Sequence, residues 1–88
     1  MKHAGAEALE ELNGLVTQLR ELDWLRETTP GHFYCKSRSI VHFHEDPTGL
    51  YADVRLDPQG RFVRMQVNTK VEQDKLVRDI RQSWERNA

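Results

Sequence analysis

The chain has 88 residues, 38% of them hydrophobic and 31% charged, with a formal net charge of −1. That suits one ordinary globular domain, leaves no room for a second, and supplies no large field to draw in nucleic acid or an anionic membrane. The single cysteine, Cys35, excludes an internal disulfide, no apolar run approaches the roughly 20 residues of a membrane span, and the opening MKHAGAEALEEL lacks a signal peptide's apolar core; the expected location is cytoplasmic.

In chain order, Ala8, Leu12, Leu15, Val16, Leu19 and Leu22 recur at spacings of three and four. This predicts an amphipathic helix over about 6–25. Gly14 lies inside it, as a weak point or a close approach to a neighbour. Thr28-Thr29-Pro30-Gly31 ends the pattern as a loop. From His32 to Val67 the period becomes two, giving strands over about 32–36, 39–45, 50–56 and 61–67. Asp46-Pro47-Thr48-Gly49 and Asp57-Pro58-Gln59-Gly60 join the last three strands. Each has an Asp to bond its own backbone, a Pro to preset φ, and a closing Gly. Thr69-Lys70-Val71-Glu72 reads as a capping box. Leu76, Val77, Ile80 and Trp84 then form the apolar stripe of a helix over about 70–86.

The two turns fix a register. The first sets Phe43 opposite Ala52 and Val41 opposite Val54. The second sets Val54 opposite Val63 and Ala52 opposite Met65. Both place apolar residues on one common face, an agreement that a one-residue slip would destroy. Ser37-Arg38 is not a usual two-residue hairpin turn, so the facing of Phe33, Tyr34 and Cys35 stays open. The expected fold is one α+β domain over residues 1–88, in the order α-β-β-β-β-α. It is a two-layer sandwich, with a four-stranded antiparallel meander covered on one face by both helices.

The same register gives the other face. His44, Tyr51 and Gln66 form one row; His42, Asp53 and Arg64 a second; Ile40, Arg55 and Phe62 a third. The plain reading is a solvated polar face with ordinary cross-strand pairs. A second reading is a protein-binding surface, because Ile40, Tyr51 and Phe62 beside arginines resemble the composition of interface cores. Face-to-face pairing with a second copy would bury them symmetrically. If His42 and His44 lie in such a contact, association weakens as pH falls from about 7.5 to 5.5. A third reading is a metal site. His-x-His on a strand sets two imidazoles on one side about 6.5–7 Å apart along the backbone, and Asp53 or Glu45 could supply a third ligand. Arg64 competes for Asp53, and His3 and His32 fall in unrelated parts of the sequence. Nucleophilic catalysis would need a nucleophile beside His42 and Asp53; Cys35 reads as a buried small hydrophobe instead. The glycines match neither a dinucleotide fingerprint nor a phosphate loop, and the acidic groups near Arg55, Arg61 and Arg64 oppose nucleic-acid binding.

HFHEDPTGLYADVRL, with Val67-Asn68-Thr69 and Glu72-Gln73-x-x-Leu76, resembles a group of small uncharacterised bacterial proteins. It is also distantly similar to the short domain named after its association with luciferases, where a His-x-His strand precedes one of Asp-x-Arg-Leu type. The resemblance spans about residues 30 to 80. It implies an α+β domain, bacterial origin and no established activity, and it carries no catalytic residue over. The expected role is therefore a non-enzymatic interaction module without a cofactor, pairing with itself or another protein through Ile40, His42, His44, Tyr51, Asp53, Arg55, Phe62 and Arg64. The alternative is a metal-binding protein using His42, His44 and Asp53.

Overall fold

A computed structural model describes residues 1–87. The class is α+β: an antiparallel sheet with helices packed on it. The elements are β1 (Lys2–His3), α1 (Ala6–Glu11), α2 (Asn13–Arg20), β2 (Arg26–Thr29), β3 (His32–Cys35), β4 (Arg38–Asp46), β5 (Gly49–Val54), β6 (Val63–Gln66) and α3 (Lys70–Trp84). A 3₁₀ turn over Glu85–Asn87 follows α3. The sheet runs β2-β3-β4-β5-β6, and β1 adds to β4 in line with β3.

This differs from helix–four strands–helix in three places. The first helix is two segments meeting at Leu12, whose ψ of 10° departs from the helical value. Backbone bonds of helical type still cross the joint, from Leu12 to Ala8 and from Val16 to Leu12. The break falls just before Asn13-Gly14, two poor helix formers. A Cβ added at Gly14 would meet open space, so that glycine marks no close approach. Secondly, residues 26–29 form a strand, because Thr29-Pro30-Gly31-His32 is a tight hairpin turn. Pro30 leads Gly31 into a φ of 77°, as a type II turn requires, and Gly31 N–H donates to the Glu27 carboxylate at 2.8 Å. Thirdly, Lys2–His3 pairs with Glu45 and His44, two residues with no periodic signal of their own.

The register of the first DPxG hairpin is the expected one: Val41 faces Val54, Phe43 faces Ala52, and Glu45 faces Leu50. The second hairpin keeps Val54 with Val63, Ala52 with Met65 and Asp53 with Arg64. Its ends are wider, since β5 stops at Val54 and β6 begins at Val63. Arg55 is drawn elsewhere: its N–H donates to Ile40 C=O, its own C=O accepts from the Trp84 indole, and its guanidinium reaches Ser39 and Gly60 carbonyls. Asp57 still organises its turn, accepting from Gln59 N–H at 3.0 Å.

The turn between β3 and β4 is Lys36-Ser37, with Cys35 opposite Arg38 and Lys36 at a left-handed φ of 52°. A β-bulge follows. Phe33 pairs with Val41 but Tyr34 pairs with Ser39, so Ile40 is an extra residue in β4. Ile40 and Val41 are both fully buried. Ile40 therefore belongs to the core, correcting its expected place on the polar face; the inserted residue interrupts the alternation. Phe33 and Cys35 are buried too, and Tyr34 packs against the His32 ring.

Leu12, Leu15, Val16 and Leu19 join Phe33, Val41, Phe43, Ala52, Val54 and Val67 of the sheet segment and Leu76, Ile80 and Trp84 of α3 in one core. Fully burying side chains of this size contributes about 1.5–3 kcal/mol each. The capping box of α3 is present: Thr69 Oγ1 accepts from Glu72 N–H, and the Glu72 carboxylate accepts from Thr69 N–H.

Candidate functional site: a histidine cluster on Asp53

Alternation along β4 sends His42 and His44 away from Val41 and Phe43. Across the ladder they meet Asp53 and Tyr51 of β5, and Asp53 meets Arg64 of β6. The Asp53 carboxylate is the centre of the row. Its Oδ1 accepts from Arg64 Nε at 2.8 Å, and its Oδ2 accepts from Arg64 Nη2 at 3.0 Å. The same Oδ2 stands 2.9 Å from His44 Nε2 and 3.6 Å from His42 Nε2.

The other two histidines arrive from outside the central hairpin. β1 places His3 opposite His44, with rings 4.8 Å apart and 5.6 Å from His3 to His42. Past the bulge, β3 brings His32 beside His42, with rings 4.9 Å apart. All four histidines of the chain thus converge on one patch, which corrects the reading of His3 and His32 as unrelated. Nothing local in the sequence marks this. The pairing of His3 is set by a contact about 40 residues away, and that of His32 by one inserted residue.

Burial shapes the electrostatics. His44 is 9% exposed, and the side chains of His42 and Asp53 are 16% exposed. Burial, with His32 and His44 alongside, lowers the His42 imidazole to a pKa of about 4, although Asp53 pulls the other way. His32 is also lowered, first by burial and then by His3 and His44. The hydrogen bond from Arg64 holds the Asp53 carboxyl below the usual carboxylate range against its own burial, with His44 and His42 helping. Asp53 is thus an anion, and His42 is neutral at pH 7.

Three buried imidazole nitrogens have no hydrogen-bond partner among the described residues: His42 Nδ1, His44 Nδ1 and His44 Nε2. His44 Nε2 is close to Asp53 Oδ2, yet the pair lacks the alignment of a hydrogen bond, so proximity alone describes it. Unpaired nitrogens in a buried setting are costly unless something satisfies them.

The donor atoms of His42, His44 and Asp53 all lie within 4.8 Å of one another. Four ligands about 2.0–2.1 Å from a tetrahedral zinc ion stand roughly 3.3 Å apart, so small side-chain rotations would close the set. Two imidazole nitrogens and one carboxylate oxygen suit zinc or a similar late divalent ion. Arg64 bonds both carboxylate oxygens, so it would share Oδ2 with an ion while fixing that oxygen beside the imidazoles. Glu45, the other carboxylate considered, is engaged away from the cluster, accepting from Gly5 N–H at 2.7 Å.

Of the remaining expected residues, Tyr51 and Phe62 are half-buried on this face. The Tyr51 hydroxyl bonds Thr48 Oγ1 at 2.7 Å. Phe62 sits edge-on to His42 at 5.0 Å and carries the Arg55 guanidinium over its ring at 4.6 Å. An open groove of about 940 Å³ along α3, lined by Asp74, Arg78 and Arg81 among others, shares no residue with the cluster. Among the described residues no helix is long and apolar enough to cross a membrane. Compared with protein-family models, curated proteins and solved structures, the chain matches none.

Proposed function

We propose that the protein binds a divalent transition-metal ion of the zinc type through His42, His44 and Asp53. The layout behind this reading keeps the helices on one side of the sheet and the histidines on the other. The observation that carries it is the pair of imidazole nitrogens, 2.9 and 3.6 Å from one carboxylate oxygen, within a patch holding every histidine of the chain. The role we assign is binding; Cys35 is buried in the core and supplies no thiol to this face. Equilibrium dialysis against zinc tests it. The parent protein takes up one ion per chain, and the His42→Ala, His44→Ala double variant takes up none. No uptake by the parent, or equal uptake by both, would end the reading.

A docking surface for a second copy or another protein is the second reading, supported by Tyr51 and Phe62 half-buried beside the histidines. It has lost Ile40 to the core, which removes the most apolar member of the patch and ranks it below metal binding. Light scattering at high concentration should then show a dimer that Tyr51→Glu dissociates; a monomer in both cases rejects self-association.

A further inference from the structure

We propose that His3 is a further ligand of the same ion, so that metal loading clasps β1 onto β4. The inference rests on the metal-binding reading and extends it to a residue 39 or more positions distant in the chain from the His-x-His pair.

The argument is geometric. An imidazole bound through one nitrogen at about 2.0–2.1 Å places its ring centre roughly 3.2 Å from the ion, so two imidazoles on one tetrahedral ion have ring centres about 5 Å apart. His42 and His44 are 5.0 Å apart, His3 and His44 4.8 Å, and His3 and His42 5.6 Å. Those ring centres suit a shared ion once the His3 ring turns a nitrogen inward, since the donor atoms already within 4.8 Å of one another are those of His42, His44 and Asp53. His32 does not, because it lies 4.9 Å from His42 but 6.5 Å from His3. With Asp53 the set is three nitrogens and one oxygen, a common tetrahedral composition for zinc. His3 is exposed, so its ring can turn toward the ion without disturbing the core.

The strand that carries His3 is short and held by few contacts. β1 is two residues long and both are exposed. Ala4 packs against the core and its N–H donates to Phe43 C=O at 3.0 Å, Gly5 N–H donates to Glu45, the Met1 ammonium stands 3.8 Å from Asp46, and Lys2 pairs with Glu45 at 3.4 Å with 78% of its side chain exposed. Exposed pairs of that kind are weak. Linkage is reciprocal: whatever factor His3 adds to metal affinity, the metal adds to the docking of β1.

Isothermal titration of Zn²⁺ into the parent and its His3→Ala, His32→Ala and His42→Ala, His44→Ala variants tests this, with amide exchange of residues 2–5 followed with and without Zn²⁺. His3→Ala weakens binding by about tenfold or more, the order at which coordination-shell changes act; His32→Ala weakens it less; and Zn²⁺ slows exchange of residues 2–5 in the parent. Parent-like affinity in His3→Ala, a larger loss in His32→Ala, or exchange at 2–5 that ignores Zn²⁺ overturns the clasp while leaving the binding site. A parent that takes up no Zn²⁺ overturns both.

Discussion

Strands β4, β5 and β6 present two faces built by one alternation, and the two are held by different physics. On one, Val41, Phe43, Ala52 and Val54 pack with the helices into a dry core. On the other, Arg64 grips the Asp53 carboxylate while His42 and His44 crowd against it, with three buried nitrogens unpaired among the described residues. The core face answers to volume and water exclusion, so its residues are interchangeable in kind. On the metal-binding reading proposed above, the histidine face answers to donor geometry, so the same residues arranged differently would bind nothing. A fold can therefore retain its stability while the second face loses its chemistry, and experiments should separate the two.

The largest effect belongs to the core. Phe33→Ala removes a fully buried ring where β3 meets the bulge and should lower unfolding free energy by about 3–5 kcal/mol, read from urea titration. If the histidine face is independent, the folded fraction of this variant binds zinc with parent affinity.

Arg64→Ala is the complementary test. It leaves the core intact and frees the carboxylate it grips at 2.8 and 3.0 Å. Zinc affinity should fall by about 10–100-fold, equivalent to roughly 1.4–2.8 kcal/mol, with little change in the urea midpoint of the metal-free protein. Unaltered affinity would show that Arg64 is a bystander to Asp53.

The two faces should also differ toward acid. In the metal-free protein the folded state holds His42 at a pKa of about 4, below the roughly 6.5 of an unfolded chain. The unfolded chain then binds the proton first. Stability from this group is complete above pH 6.5 and is lost as pH falls toward 4. Denaturant midpoints from pH 7.5 to 4 should show the slope, and His42→Leu should flatten it; an identical slope in the variant would move the titration to another group.

The smallest effect lies away from both faces. Gly14 is exposed in α2 with open space where a Cβ would go, so Gly14→Ala should stabilise by about 0.5–1 kcal/mol in the same titration. Zinc affinity should not move.

Much of the apolar face is legible in the sequence, since two DPxG turns independently demand the register that Val41, Phe43, Ala52 and Val54 adopt. The capping box at Thr69 and Glu72 is local and equally plain. Non-local choices are not. Ile40 looks outward by counting, and only the bulge opposite Phe33 and Tyr34 turns it in. That inserted residue also turns His32 toward His42. Lys2–His3 is too short for any periodicity, so the strand exists because β4 outruns β3 and leaves an edge to fill. His42, His44 and Asp53 were visible as a triad; the gathering of all four histidines was not.

The separation of Gly5 and Glu45 by 40 positions along the chain sets an order of assembly. The β4–β5 hairpin closes across two residues, Pro47 and Thr48, whereas β1 can join only after a long loop has closed at greater entropic cost. Loop-closure entropy therefore favours Asp53, His42 and His44 meeting before His3 joins them. If His3 completes the proposed site, an ion present from the start would meet a partial site first, and its full coordination sphere would mark the docking of β1.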